Sequence, residues 1–319
     1  MNTPILLMVY KKPETTKKVI NALKKAGVTK LYISINIPLK KNKEEIIKNK
    51  AVIKIVKPIS WNCKTRYKKR KKYVDAYTSY NEAIKWFFKN EKEGIILEDD
   101  TLPNKSFFIF CTKLLKKYRY NKKVSQICGS SFLNQKTTNE TNYFFSNYNL
   151  CWGYATWRRS IQDYDEQMKE WPIIKKKNIF LNIISDKRFL SYWTDIFDIQ
   201  YKKKFKAWDY RWLYSNWVHN KLSIIPKKHL VQNIGFVKEA THTKIKYKDW
   251  FNDLKTEEIE SNNKHPISIK AEISYDKWLS NKVFKVDKFY IKKKINNNKF
   301  YKSLKPFHKI LKSLYKNFK

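Results

Sequence analysis

Strand and helix patterns alternate along the first hundred residues, and this alternation limits the fold more than any other feature. An apolar run at 4–10 precedes an amphipathic stretch at 13–27, which predicts a strand and then a helix. Further strands are predicted at 31–35 and 51–56, on either side of a Lys/Glu-rich helical stretch at 43–50. Such alternation builds a mostly parallel central sheet flanked by helices, so the sequence predicts an α/β fold.

A short apolar run in the segment GIILEDDTLP leads directly into Glu98, Asp99 and Asp100. Ligands of open α/β sheets collect beyond the carboxyl ends of the strands, so we expect these acids at a binding edge. Neighbouring carboxylates repel one another, and a hard divalent cation such as Mn²⁺ or Mg²⁺ takes carboxylate and phosphate oxygens. The pattern therefore indicates a metal site. An acidic turn that caps the next helix, predicted at 104–118, is the structural alternative.

The charge balance is strongly basic, with 69 Lys and Arg against 28 Asp and Glu and a formal net charge of +41. This excess predicts attraction to polyanions such as anionic lipid, nucleic acid or a phosphorylated glycan. Much of it is Lys scattered among Asn and Ile, which an AT-rich coding sequence would also give. The hydrophobic content of 42% is that of a globular protein.

The last twenty residues carry an apolar stripe with helical spacing, at Phe300, Leu304, Phe307, Leu311, Leu314 and Phe318. Six lysines lie between or after the stripe positions, as in a basic helix that lies on an anionic membrane, although a helix docked on the domain is the alternative. The N-terminal apolar run is short and has no basic lead-in, and the four cysteines form no CxxC pair. We expect a cytoplasmic protein that is peripheral on the inner face of the cytoplasmic membrane.

Other catalytic signatures are missing from the sequence, including GxSxG, HExxH and the Walker loop. The chain has five glycines, too few for a phosphate-cradling glycine loop. We therefore expect phosphate to be held by metal and lysine, which makes the acidic trio the centre of the predicted site.

Five segments in the same order resemble bacterial glycosyltransferases related to the N-acetylglucosaminyltransferase I family. These are YKKPETTKKVINAL, EDD, CWGYATWRRS, AWDYRW and NIGFVKEATHT, and together they span residues 4–243. The resemblance implies a GT-A (nucleotide-diphospho-sugar transferase) fold, a metal-bound diphosphate and inversion at the anomeric carbon.

The resemblance also assigns roles to residues of the donor site. Asp100 matches the direct metal ligand, and Glu98 and Asp99 match residues that hold the ribose and sugar of the donor. Lys12 stands where the family has an Arg near the nucleotide, and it keeps the charge without the planar fork. Asn36 stands where an Asp contacts the uridine, and its amide can both donate and accept.

An inverting transfer needs a general base for the acceptor hydroxyl, and Asp209 in AWDYRW is the candidate. We expect Trp208 and Trp212 to raise the pKa of Asp209 and to offer faces to a sugar ring. The alternative is a surface ion pair between Asp209 and Arg211 or a nearby lysine.

Two further segments of the resemblance contribute candidate donor-binding residues. Trp152 and Gly153 match a loop near the donor sugar, where a glycine permits close backbone approach; a helix-start glycine is the alternative. Thr241 and His242 match a segment over the diphosphate, although a lone histidine is more often structural.

The sequence and the resemblance predict a metal-dependent hexosyl- or N-acetylhexosaminyltransferase that uses a nucleotide-sugar, with a UDP-sugar as the expected donor. The expected acceptor is a glycan or glycolipid of lipopolysaccharide or capsule biosynthesis. Residues 1–126 form the predicted nucleotide-sugar half, 127–247 the acceptor half and 248–319 a basic extension. The competing hypotheses are a basic nucleic-acid-binding protein, for which no specific motif is present, and an inactive sugar-binding homologue.

Overall fold

The computed structural model describes residues 1–133, 141–235, 254–259 and 264–297. The amphipathic helix predicted at 300–318 lies outside the described residues, so it stays a prediction.

The described chain forms two compact units, and each is built from two separate stretches of sequence. The first, called the sheet unit, comprises Met1–Met168 and Phe205–Glu272; the second, called the helical unit, comprises Lys169–Lys204 and the described residues from Ile273 onward. The predicted borders at 126 and 247 concern ligand-binding halves and stay a prediction.

Eight of the strands among the described residues form one mixed sheet, in the order β3-β2-β1-β4-β8-β6-β9-β7. Strands β8 and β7 run antiparallel to their neighbours, and the other pairs are parallel. The strand bounds are β1 Ile5–Val9, β2 Lys30–Ile35, β3 Lys64–Lys69, β4 Glu93–Glu98, β5 Thr101–Pro103, β6 Val124–Cys128, β7 Tyr143–Ser146, β8 Tyr154–Trp157, β9 Leu222–Pro226 and β10 Val231–Asn233. Strands β5 and β10 pair separately as a small antiparallel ribbon.

Helices connect most of these strands. Their bounds are α1 Pro13–Lys25, α2 Lys43–Val56, α3 Ala76–Asn90, α4 Lys105–Lys117, α5 Arg158–Ile161, α6 Trp171–Lys176, α7 Lys187–Tyr201, α8 Trp208–Val218, α9 Ile273–Lys282 and α10 Val286–Asn297, with a 3₁₀ turn at Ile179–Asn182. None of the helices in the described part of the chain is both long and apolar enough to cross a membrane.

Alternate residues of the central strands bury against opposite faces of the sheet. Ile5 and Leu7 belong to a core that also holds apolar residues of α1, α2 and α4, whereas Leu6 belongs to a second core with α3. This is the two-residue period of a strand that is covered on both sides. The predicted α/β class, with a mostly parallel central sheet flanked by helices, is confirmed.

One predicted strand is wrong, because residues 51–56 continue helix α2. Asn42 caps this helix by accepting a hydrogen bond from the Glu45 amide at 3.1 Å, and Asn49, Val52 and Val56 are buried at helical spacing. The third strand is instead β3, which has mostly exposed, basic residues at the edge of the sheet. An edge strand needs only one partner and little apolar burial, so its composition resembles a loop.

The helical unit has an aromatic core. Trp171 and Trp193 are fully buried there and pack with Phe197 and Phe180 at ring-centroid distances of 5.4 to 6.1 Å. An ion pair between Lys293 and Asp195, at 2.8 Å, joins α10 to α7. Trp171 and Trp193 therefore pack in the core of the helical unit and are too buried to stack on a sugar.

Gly94, at the start of β4, provides a test of how strand β4 is packed. An added Cβ would lie 2.7 Å from the Pro4 carbonyl oxygen and against the Phe87 ring. Since the backbone of Pro4 cannot move away as a side-chain end could, Gly94→Ala should lower the free energy of unfolding by about 1–3 kcal/mol in urea denaturation. Ile47→Ala, on the exposed face of α2, should change it by less than about 0.5 kcal/mol. Equal effects of both substitutions would contradict this account of the packing.

Candidate functional site

The carboxyl ends of β1, β2 and β4 lie side by side and define one edge of the sheet. Met8 pairs with Glu98 across β1 and β4, so the residues that follow each strand meet beyond this edge. Strand β8 runs the other way, with Tyr154 opposite Ile96, and its leading residues Trp152 and Gly153 reach the same edge. This edge is where sheets of this class bind ligands.

The acidic trio forms a tight turn between β4 and β5. The Thr101 hydroxyl closes the turn by accepting a hydrogen bond from the Glu98 amide at 2.9 Å and donating one to the Glu98 carbonyl at 3.1 Å. The helix-capping alternative is wrong, because Asn104 caps α4 by accepting from the Phe107 amide at 3.0 Å. The first turn of α4 contains no acid.

Lys12 reaches the trio from the loop between β1 and α1. Its Nζ lies 2.5 Å from Asp100 Oδ2, and both side chains are largely buried. In the same loop the Tyr10 amide donates to Asp99 Oδ2 at 2.9 Å. The neighbouring Lys11 turns away and pairs with Glu45. The structure thus brings Lys12 to Asp99 and Asp100, although Lys12 lies 88 positions before Asp100 in the sequence.

Burial and mutual repulsion raise the pKa values of two acids of the trio, Glu98 and Asp99. The pKa values of Glu98 and Asp99 are raised well above the usual range, first by burial and then by the charge of Asp100. Burial lowers the pKa of Lys12, but Asp100 and Asp99 outweigh burial and the pKa of Lys12 is raised. The ammonium is therefore retained among carboxylates that are difficult to ionise together, and the site favours an additional cation.

A turn after β10 lies against the trio; it belongs to the segment NIGFVKEATHT, although Gly235 is not among the predicted site residues. The Ile234 amide donates to the Asp100 carbonyl at 2.8 Å, and Asn233 Oδ1 accepts from the Gly235 amide at 2.8 Å. A Cβ on Gly235 would lie 2.8 Å from Asp100 Cγ. Gly235 therefore permits the turn to approach the Asp100 carboxylate, a requirement that sequence spacing alone does not reveal.

Asn36 directly follows β2, and its side-chain oxygen has no hydrogen-bond partner in the described structure. Its side-chain Nδ2 donates to the Val74 carbonyl at 3.1 Å, while its backbone carbonyl oxygen accepts from Asn49 Nδ2 at 2.9 Å. Its Oδ1 is buried and has no hydrogen-bond partner in the described structure. Since a buried unpaired acceptor is costly, the environment of Asn36 suits a bound hydrogen-bond donor.

Asp209 lies in the first turn of α8, and no cation of the described residues lowers its pKa. Burial raises its pKa, although hydrogen bonds from backbone amides, including that of Tyr210 at 2.9 Å, oppose the rise. Asp209 is close enough to Glu98 to raise the pKa of that acid. The ion-pair alternative is wrong within the described residues, because Arg211 instead donates to Tyr77 Oη at 3.1 Å and to the Glu166 carbonyl.

The two tryptophans that flank Asp209 differ in their roles. Trp208 is half-buried and stacks on Tyr80 at a centroid distance of 3.9 Å. Trp212 is 1% exposed and donates its indole N–H to Gln126 Oε1 at 2.7 Å. The prediction that Trp212 offers a face to a sugar is therefore wrong, because α8 turns this residue into the core.

Trp152 and Gly153 lie at the predicted edge of the sheet, and Val231 packs closely against the backbone of Gly153. Gly153 has φ of +62°, and a Cβ there would lie 3.0 Å from Val231. It precedes a strand, so the helix-start alternative is wrong. Trp152 packs edge-on against Phe132 at 4.9 Å and near His229, whose pKa burial lowers to about 4. Contacts of Trp152 and Gly153 with a donor stay a prediction.

Thr241 and His242 lie outside the described residues, so their predicted roles remain untested. Within the described ranges, no three His, Cys, Asp or Glu side chains are arranged to hold a metal ion. Mg²⁺ and similar ions are, however, often held by one or two carboxylates together with substrate phosphates. The excess of carboxylate over ammonium at the trio fits such an ion.

Comparisons with known proteins give fold-level similarities only. No family profile matches the chain, and no curated protein matches it. A solved structure of TarS residues 1–349 from S. aureus is 10% identical with a TM-score of 0.34, and the match covers 52% of this chain and 50% of that one. The mannosyltransferase PcManGT from Pyrobaculum calidifontis, solved with GDP-Man and Mn²⁺, is 9% identical with a TM-score of 0.33, covering 51% and 46%.

An apo UDP-glucose pyrophosphorylase is 10% identical with a TM-score of 0.36, covering 71% of this chain and 90% of that one. The chain spans about half the length of the TarS and PcManGT structures that it matches. None of these three neighbours shows a link to the N-acetylglucosaminyltransferase I family.

The raised pKa of Asp209 predicts a measurable effect on stability. An acid whose folded pKa exceeds its unfolded value destabilises the fold as pH rises above the unfolded value, because burial penalises the charge. Asp209→Asn keeps the acceptor for the Tyr210 amide and removes the charge. The variant should therefore be more stable than the wild type at pH 7, and this gain should shrink toward about pH 4.

Urea denaturation between these pH values measures the difference, with Asp198→Asn as a control of opposite sign. Burial raises the pKa of Asp198, but hydrogen bonds from Lys175 and Trp171 outweigh it and the pKa is lowered. Asp198→Asn should therefore lose stability at pH 7. A loss of stability in Asp209→Asn at every pH would show that this carboxylate has a stabilising partner.

Proposed function

We propose that this protein is a metal-dependent, inverting glycosyltransferase that uses a nucleotide-sugar, most simply a UDP-sugar. The observation that supports the proposal best is the convergence at one sheet edge of the acidic trio, Lys12 and the uncompensated acid Asp209. A purely structural cluster would neutralise its acids with partners. Here one ammonium faces three carboxylates, and Asp209 has no ion pair within the described chain.

The donor would bind along the ends of β1, β2 and β4. The buried Oδ1 of Asn36 is suited to accept a hydrogen bond from a nucleobase N–H, because Nδ2 is already held by the Val74 carbonyl. Glu98 and Asp99 would accept hydrogen bonds from hydroxyl groups of the ribose and the sugar. Asp100 would ligate the Mn²⁺ or Mg²⁺ ion, which neutralises charge on the diphosphate leaving group when bound.

Asp209 would act as the general base that takes a proton from the acceptor hydroxyl. Burial raises its pKa toward the operating range of a general base, and no cation of the described residues pairs with the carboxylate. Its proximity to Glu98 supports a role near the sugar end of the donor site rather than the nucleotide end. Trp208, which is stacked on Tyr80, would form the adjoining apolar wall.

The hexosyl or N-acetylhexosaminyl group would pass to a bacterial surface glycan or lipooligosaccharide. The strongly basic chain and the lysine-rich helix predicted at 300–318 support contact with an anionic membrane surface that carries such acceptors. The protein would thereby act as a cytoplasmic enzyme at the inner face of the membrane.

Consumption of a panel of nucleotide-sugars, with Mn²⁺ or with EDTA, tests this proposal directly. We expect one donor to be hydrolysed slowly without acceptor, and only with metal. Asp100→Asn should reduce this hydrolysis by at least about 100-fold, because the ion would lose its protein ligand. Asp209→Asn should reduce transfer to an acceptor by about 100-fold or more, which is the usual contribution of a general base.

Glu44→Gln is the matched control, since Glu44 is exposed on α2 and pairs only with Lys48 in the described structure. It should leave both rates unchanged. If no donor binds or reacts, the acidic trio is a structural turn, and a nucleic-acid-binding or inactive protein becomes the better hypothesis.

Gly235 gives a second test that leaves every acid in place. The Cβ of Gly235→Ala would lie against the Asp100 carboxylate, so the Asp100 side chain must shift from its present position. We expect donor hydrolysis to fall by at least about tenfold, because misplacement of a catalytic group by about 1 Å has large effects on rate. Gly27→Ala adds backbone strain, because Gly27 has φ of +63°, but its Cβ would meet nothing within 4 Å, so this control should lower stability without changing the rate. Full activity of Gly235→Ala would show that Asp100 does not need this position.

A further inference from the structure

Lys12 already occupies the carboxylate that the proposed metal ion would require. Its Nζ lies 2.5 Å from Asp100 Oδ2, at the centre of the acidic trio, and Asp99 and Glu98 also act on its charge. No other cation forms an ion pair with these three acids within the described residues. In this form of the protein, the ammonium supplies the positive charge that the trio needs.

We infer that Lys12 is a placeholder for the divalent ion. When metal and donor bind together, the Lys12 ammonium exchanges Asp100 for the diphosphate of the nucleotide-sugar. This inference rests on the proposed function and deepens it. A lysine suits the exchange because its ammonium is a compact charge on a flexible stem. An arginine fork would hold a carboxylate through two parallel hydrogen bonds and release it less readily.

Charge balance gives the physical reason for the exchange. A metal ion that approaches the free protein must displace the ammonium from Asp100, and the displaced ammonium then lacks a partner. A donor that arrives with the ion supplies phosphate oxygens, so the ammonium gains a new partner. Lys12 would therefore weaken metal binding to the free protein and strengthen it in the presence of nucleotide, which is a positive coupling between the two ligands.

The arrangement has a consequence for the order of binding. An empty site that held Mn²⁺ tightly would keep the ion after the nucleotide product leaves. A site in which the Lys12 ammonium returns to Asp100 would instead release the ion with the nucleoside diphosphate. The placeholder therefore makes metal and nucleotide enter and leave as a unit.

Titration of the full-length protein with Mn²⁺, followed by water-proton relaxation, tests the inference without any turnover. We expect Lys12→Met to bind Mn²⁺ about tenfold more tightly than the wild type when nucleotide is absent, a factor within the usual range of such couplings. With Mn²⁺ saturating, the same variant should bind UDP about tenfold more weakly in calorimetry. Lys12→Arg retains the charge and should not tighten Mn²⁺ binding.

Lys11→Met is the matched control, because Lys11 precedes Lys12 but pairs with Glu45 outside the trio. It should change neither affinity. Mn²⁺ affinity of the free Lys12→Met protein that equals or falls below the wild-type value overturns the placeholder role and leaves the proposed function standing, provided that Mn²⁺ and UDP still bind. If neither the wild type nor the variant binds Mn²⁺ even with UDP, both proposals are overturned.

Discussion

The contact between Lys12 and Asp100 joins the two loops on which the candidate site depends. Parallel pairing of β1 with β4 sets the loops after these strands side by side. Three consecutive acids then meet at the end of a buried strand, where burial and mutual repulsion make their simultaneous ionisation unfavourable. One ammonium relieves this repulsion without removing it. The remaining negative charge is what makes the edge suited to a cation and a phosphorylated ligand.

Asp209 differs from the trio because no ammonium relieves the cost of its partial burial within the described chain. Its carboxylate receives backbone hydrogen bonds at the start of α8, yet no cation pairs with it in the described chain. Such a group weakens the fold when it is charged, and proteins keep strained or costly groups mainly where function requires them. Asp209 also lies near Glu98 and beside Trp208, which stacks on Tyr80.

Sequence reasoning was most successful where a strand is buried and followed by distinctive residues. The predicted strand before Glu98 and the helix from Pro13 are both present, because apolar burial and a proline at the first helical turn are local signals. It failed at 51–56, where helix α2 continues, and at β3, which is exposed and basic. It also assigned Trp212 to a ligand, although the direction of that side chain depends on how α8 packs.

The sequence by itself determined the α/β class, the acidic trio at a strand end and the candidate base in a tryptophan-rich segment, since each depends on local pattern or residue type. Only the tertiary structure decided that Lys12 pairs with Asp100, that Gly235 must lack a side chain above it, and that Asp209 escapes Arg211. These are contacts between residues 88 or more positions apart, or choices among competing partners. Their outcome is fixed by sheet register and helix packing, which no single segment encodes.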